Sequence, residues 1–110
     1  MKTITLESGN IARVGGSAAE NFDLIDQSLP NDLWFHLAKL PSCHVVLSSC
    51  SGVEISGDDI MMAAKLCLEN TKYHGLRSVY VEYLPVKYVE KTKTLGRVIL
   101  RKRPTLIKVG

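Results

Sequence analysis

The stretch NDLWFHLAKLPSCHVV (residues 31–46) decides the fold, because it holds two apolar runs on either side of a short polar loop. The runs LWFHLA and HVVLSS are typical of strands, and the proline and serine between them suit a turn. We therefore predict a β-hairpin that contains the only tryptophan and two of the three histidines. Because successive strand residues point to opposite faces, Trp34 and Phe35 should lie on opposite sides of a sheet.

Further short strands are predicted on both sides of this hairpin. KTITLES alternates apolar and polar residues, and IARVGG follows it as a second short strand that ends in two glycines. VYVEYLP alternates until its proline, which ends or bends the strand. RVILRKR and TLIKV, which Pro104 separates, predict the last two strands.

A short helix is predicted in SAAENFDLIDQSL. Ser17 and Glu20 have the spacing of a capping box, in which each residue satisfies a backbone N–H near the other. Ala18, Phe22 and Ile25 lie near helical spacing, which supports the helix.

A longer helix is predicted in DDIMMAAKLCLENTKYHG. Ser56 or Asp58 can cap its start, and Gly75 fits just past its end. Its buried stripe is expected to be Ile60, Ala63, Ala64, Cys67 and Leu68. Together the elements predict an α+β fold in one domain spanning residues 1–110. It should have a mixed, mostly antiparallel sheet of about six to eight short strands, one long helix and one shorter helix.

Length and composition narrow the class of protein. No apolar run approaches the roughly 20 residues that span a bilayer, and the start MKTITLESGN lacks the apolar segment of a secretory signal. The three cysteines form no CxxC pair, which favours free thiols in a reducing compartment. We therefore expect a cytoplasmic protein without a membrane partner, also nuclear if the host is eukaryotic.

Charge is distributed unevenly along the chain. Residues 1–84 contain six basic and ten acidic side chains, whereas residues 85–110 contain eight basic side chains and one acidic one. The two parts therefore carry net charges of −4 and +7. A basic segment of this kind can bind phosphate groups, or it can protect an edge strand against pairing with other chains. Charge alone leaves both interpretations open.

The two histidines of the hairpin raise the question of catalysis or metal binding. A symmetric register pairs His36 with His44, whereas a slip of one residue places their rings on opposite faces. A two-histidine phosphodiesterase would need a serine or threonine two residues after each histidine, where this chain has Ala38 and Val46. A zinc site would need a further cluster of ligands, which the chain does not offer at suitable spacing. We therefore predict no metal and no cofactor.

The residue types of the hairpin also allow two other roles. Cys43, His36 and Asp32 could together form a nucleophilic hydrolase, although Asp32 is better explained as a turn residue. An exposed aromatic ring near Lys39 could stack on a nucleic-acid base, but a second layer that covers the ring is the simpler expectation. We predict no catalytic residues.

Several short motifs follow one another along residues 15 to about 109. They comprise Gly16 and Asn21; Asp32, Trp34, Phe35 and His36; Pro41, His44 and Val45; Ala63 and Ala64; Val81, Tyr83, Val86, Val89 and Lys91; and Gly96 and Val98. In this combination the chain resembles the NFACT-R domain, the carboxy-terminal RNA-binding domain of RqcH/NEMF-type ribosome quality control proteins, in a stand-alone version. The chain departs from the family pattern at Ser42-Cys43, at Leu95 and at Ser17-Ala18, which bears on loop contacts rather than on the fold.

The resemblance implies a non-catalytic RNA-binding module linked to tRNA, the ribosome or translation. It implies phosphate contacts from the basic C-terminal segment, namely Lys87, Lys91, Lys93, Arg97, Arg101, Lys102 and Arg103. Asp32, Trp34, His36, Ser42 and His44 belong to the family's signature hairpin, in which the two histidines either fix the hairpin or line a ligand groove. RNA is the expected partner, with DNA, the ribosome or a protein as further candidates. The alternative is a protein-interaction or scaffold module that binds no nucleic acid.

Overall fold

Eight strands and two helices follow one another along the chain, and the computed structural model describes residues 1–110. The strands are β1 (Lys2–Thr5), β2 (Ile11–Gly15), β3 (Leu33–Leu37), β4 (His44–Ser48), β5 (Val79–Pro85), β6 (Val89–Lys91), β7 (Val98–Leu100) and β8 (Thr105–Val109). The helices are α1 (Ala18–Asp26) and α2 (Gly57–Glu69), and a 3-10 turn covers Val86–Tyr88. The predicted α+β fold is confirmed.

Six strands form one sheet in the order β1-β2-β4-β3-β5-β8, in which every neighbouring pair is antiparallel. β3 and β4 form the predicted hairpin in the middle of this sheet, with Phe35 opposite Val45. β6 and β7 pair separately as a small two-stranded hairpin. The sheet is thus antiparallel throughout rather than mixed.

The large sheet separates two apolar cores. α2 covers one face, where Phe35 packs in a cluster with Ala63. α1 and the start of β6 cover part of the other face, where Trp34 packs in a cluster with Val46 and Leu24. Trp34 is 1% exposed and Phe35 is fully buried, which confirms that the two rings lie on opposite sides of the sheet. Neither ring is free to stack on a base.

α2 begins at a complete capping box. The Ser56 hydroxyl accepts a hydrogen bond from the Asp59 backbone N–H (3.1 Å), and the Asp59 carboxylate accepts one from the Ser56 N–H (3.2 Å). Asp59 is buried, and Ile60, which the spacing predicted to be buried, is half-buried. The other four predicted stripe residues are buried against the sheet.

α2 ends at Glu69, earlier than the prediction that placed Gly75 just past its end. The Asn70 side-chain amide donates to the Leu66 carbonyl (2.8 Å), and the chain then continues into turns. A polar side chain that bonds its own backbone in this way competes with further helix. Neither α1 nor α2 combines the length and apolarity of a membrane-crossing helix.

α1 is anchored to the sheet by a buried asparagine that helical spacing did not indicate. Asn21, rather than the exposed Ala18, faces the sheet, and its side-chain oxygen accepts a hydrogen bond from the His44 backbone N–H (3.1 Å). A β-carbon at Gly15 would lie 2.5 Å from that oxygen, so glycine is required at this point of β2. The contact fixes α1 beside the start of β4.

The predicted capping box of α1 is only half formed. The Ser17 hydroxyl accepts a hydrogen bond from the Glu20 backbone N–H (3.2 Å), as predicted. The Glu20 carboxylate, however, accepts from the Gly16 N–H (2.8 Å) and pairs with the amino terminus, instead of bonding Ser17. The chain that precedes the helix is thereby bound to its first turn.

Candidate nucleic-acid interface

Three polar side chains form a row across neighbouring strands, on the face of the sheet that α1 partly covers. His36 of β3 lies opposite Glu82 of β5, and the β3–β4 register, continued past Phe35, brings His36 beside His44. The ring centroids of His36 and His44 are 5.4 Å apart. Of the two registers that the sequence left open, the hairpin therefore has the symmetric one. We name His44, His36 and Glu82 the polar row.

Trp34 supports both histidine rings of the polar row. Its ring stacks on His36 with 5.6 Å between centroids and 8° between planes, and it meets His44 edge-on at 5.1 Å. Both are favourable aromatic arrangements. Because Trp34 is buried by the second core, the rings that it contacts are held in one geometry.

Burial keeps both histidines of the polar row neutral at pH 7. It lowers the pKa of His36, and burial together with the neighbouring His36 lowers the pKa of His44 to about 3. The Nδ1–H of His36 donates to the Leu37 carbonyl (2.6 Å), which leaves its other ring nitrogen as an acceptor. Burial also raises the pKa of Glu82, whose carboxylate lies 3.9 Å from His36 Nδ1.

A cavity of about 420 Å³ lies over the polar row, between the β3–β4 loop and the β6–β7 turn. Lys39 and Arg97 contribute cationic side chains to its lining. Trp34 Nε1 and His44 Nδ1 are buried and have no hydrogen-bond partner, although both residues line the cavity. The cavity lining thus combines a carboxylate, two neutral histidine rings and two cations.

Asp32 and Ser42, the other two signature residues, shape the hairpin. The Asp32 carboxylate accepts from the Leu29 N–H (2.9 Å) in the turn before β3, as expected for a turn-setting acid. The Ser42 hydroxyl accepts from the Leu37 N–H (3.0 Å) and donates to the Cys43 carbonyl (2.9 Å). Ser42 lines the cavity, whereas Asp32 is buried and is not part of its lining.

The seven basic residues predicted to contact phosphate are all exposed, and the fold gathers them around the β6–β7 hairpin. Lys91, Lys93 and Arg97 lie at its turn. The remaining four, at its other end, are Lys87, Arg101, Lys102 and Arg103. Protection of an edge strand accounts poorly for this placement, because Lys108 alone among the eight C-terminal basic residues lies on β8, the edge of the large sheet.

Two of these seven residues have acidic partners. Lys91 forms an exposed ion pair with Asp26, and Arg101 forms one with Glu90. The other five form no salt bridge, and among them Lys87 and Lys102 lie 5.4 and 5.1 Å from the Tyr88 ring centroid. Most of the positive charge around the hairpin is therefore uncompensated.

The hydrolase combination is not assembled. Cys43 lies in the core beneath α2, where its thiol donates to the Cys67 carbonyl (3.4 Å), whereas His36 lies on the opposite face of the sheet. Asp32 is occupied in its turn. No three histidine, cysteine or acidic side chains lie close enough together to hold a metal ion.

Sequence reasoning missed Glu82 as a residue of the site. Its side chain points to the same side of β5 as those of Tyr80 and the covered Leu84. The alternation in VYVEYLP does place these residues on one face, but pairing of β5 with β3 was not evident. That long-range pairing is what brings Glu82 to the histidines.

The comparison with protein families identifies one that covers most of the chain. The model of the family described as "NFACT protein RNA binding domain" matches residues 3–101. Among curated proteins, the chain is similar to coiled-coil domain-containing protein 25 of Danio rerio, with 30% identity over 83 residues. It is 32% identical over 83 residues to the Bos taurus and Mus musculus proteins of the same name. Each match covers 72% of this chain but 40% of the relative, so the chain spans well under half the length of these proteins.

A solved structure supports the fold independently. The C-terminal part of the fibronectin/fibrinogen-binding protein from Streptococcus suis superimposes with a TM-score of 0.84 at 24% identity. The match covers 97% of this chain and 43% of that chain, and at this identity it speaks for the fold alone. With a family match over almost its whole length, the chain belongs to the NFACT protein RNA binding domain family.

Proposed function

We propose that this chain is a non-catalytic module that binds structured RNA, such as tRNA or ribosomal RNA, as part of ribosome-associated quality control. The observation that carries the proposal is the set of seven exposed basic residues around one small hairpin, in a chain of an RNA binding domain family. Their proposed role is to contact the phosphate backbone, which positions RNA without reading its sequence.

Phosphate binding to the basic segment would cost little free energy in lost ion pairs. Five of the seven cations form no salt bridge, so a phosphate can approach them without displacing an acidic partner. The pairs of Lys91 with Asp26 and of Arg101 with Glu90 are exposed. Exposed pairs contribute about 0–1 kcal/mol, so they can be exchanged for phosphate contacts at little cost.

RNA affinity should therefore depend steeply on salt. If the five unpaired cations each contact one phosphate, a plot of log affinity against log salt should have a slope of about −4. Fluorescence anisotropy with a labelled tRNA at several salt concentrations measures this slope. No detectable binding at low salt, or a slope near zero, would contradict the proposal. A partner captured from lysate that survives both ribonuclease and high salt would instead support a protein-interaction module.

A further inference from the structure

The cavity over the polar row contains a carboxylate, which phosphate binding does not explain. Glu82 presents a carboxylate whose side chain is 23% exposed, and the like charge of a phosphate would be repelled there. Nothing in the chain donates a hydrogen bond to this carboxylate, whose pKa burial alone raises. A half-buried carboxylate with no donor in the chain and an open cavity in front of it favours a ligand that brings donors.

The unpartnered ring nitrogens point to the same kind of ligand. Trp34 and His44 are 1% and 2% exposed, line the cavity, and each retain one ring nitrogen without a partner. The pKa of His44 is about 3, so its ring stays neutral and offers one donor and one acceptor. A flat ligand with hydrogen-bond donors on its edge would suit Glu82 and lie against these neutral rings.

We propose that this cavity receives one unstacked RNA base and that Glu82 selects bases with N–H donors, guanine above all. The inference rests on the proposed RNA-binding function and adds to it a base-reading contact beside the phosphate contacts. Guanine carries a ring N–H and an amino group side by side, so each carboxylate oxygen of Glu82 can accept one hydrogen bond.

The other bases match Glu82 less well. Adenine and cytosine each present an amino donor next to a ring acceptor, which leaves one carboxylate oxygen without a donor. Uracil presents a single N–H between two carbonyl oxygens, and a carboxylate repels both of them. The expected order of preference is therefore guanine, then adenine and cytosine, then uracil.

The surroundings of the polar row fit a single nucleotide. The volume of about 420 Å³ lies in the lower part of the range of small-ligand sites, about 300–1,000 Å³. His36, stacked on Trp34 and partly exposed, offers an aromatic ring beside which a base can pack. Arg97 lines the cavity and also belongs to the basic turn, so a base in the cavity would have its own phosphate near that turn.

The test compares two labelled single-stranded RNAs, an oligouridine and the same oligomer with one central guanine. By anisotropy at fixed low salt, the wild-type chain should bind the guanine oligomer about tenfold more tightly. Glu82→Gln should reduce that preference to about twofold or less, because a glutamine side chain has one acceptor oxygen instead of two. Glu69→Gln makes the same chemical change on an exposed position of α2, and it should keep the tenfold preference.

A second measurement on the wild-type chain does not depend on the folding of any variant. Trp34 is the only tryptophan and lines the cavity, so its fluorescence reports entry of a base. At equal saturation, the guanine oligomer should change Trp34 emission more than oligouridine does. Equal affinities and equal emission changes for the two oligomers, with salt-dependent binding retained, would overturn the base site and leave the proposed function standing. Absence of binding to any RNA would overturn both.

Discussion

Replacing Lys93, Lys102 and Arg103 together by glutamate should weaken RNA binding by at least about a hundredfold at low salt. The three residues are exposed, form no salt bridge and lie at both ends of the β6–β7 hairpin. Each replacement removes one proposed phosphate contact and introduces a repulsion. The slope of log affinity against log salt should therefore also fall in magnitude by about three. Anisotropy with labelled tRNA measures both quantities.

A second triple variant separates a local site from a general effect of charge. Replacing Lys65, Arg77 and Lys108 by glutamate changes the net charge by the same amount, from +3 to −3, at exposed positions that are not among the seven proposed phosphate contacts. This control should lose less than about tenfold in affinity, because it removes none of the proposed phosphate contacts. Equal losses in the two triple variants would mean that the basic segment is not the binding site.

Lowering the pH from 7 to 5 should reduce the free energy of unfolding by about 2 kcal/mol through His44. The native pKa of His44 is about 3, whereas an unfolded histidine has a pKa of about 6.5. Between these values the unfolded chain binds a proton that the native chain does not, so stability is lost as pH falls through the unfolded pKa.

The groups that face His44 modify this dependence in known directions. The pKa of His36 is also lowered, so it adds to the loss of stability on acidification. The raised pKa of Glu82 acts in the opposite sense, because its native carboxyl group gains a proton at a higher pH than the unfolded one. Lys39 and Arg97 also line the cavity that these groups face.

Urea unfolding at pH 7, 6 and 5, followed by Trp34 fluorescence, measures the effect. His44→Gln removes the titrating ring, so its stability should fall clearly less with acidification than that of the wild type, whatever its stability at pH 7. His74→Gln makes the same change at an exposed histidine and should keep the wild-type dependence. Identical pH dependence in all three proteins would show that His44 is not held neutral by burial.

The elements that sequence predicted well depend on local patterns. Two apolar runs on either side of a polar loop marked β3 and β4, and one of the two registers that this pattern allowed is the one that brings His36 beside His44. The basic segment was visible because net charge is read directly from composition. Its exposed placement follows since charged side chains rarely lose their contact with water.

Three features were not predicted from the sequence: the position of Glu82, the orientation of Asn21 and the end of α2. Each depends on a contact between distant segments or on a single side-chain hydrogen bond. Glu82 joins the histidines only because β5 pairs with β3 across the long α2 connection. Asn21 faces the sheet because a backbone N–H of β4 needs an acceptor there, which helical spacing does not encode. The early end of α2 depends on a single amide of Asn70.

Crosslinking to RNA, followed by mapping of the linked peptides, tests the central claim of RNA binding most directly. A photoreactive tRNA bound to the full chain at low salt should crosslink within residues 87–103, around the β6–β7 hairpin. A guanine-containing single-stranded oligomer should also crosslink within residues 34–44, which line the cavity. Crosslinks confined to α2 and β1, or none under conditions in which the chain is folded, would contradict the account.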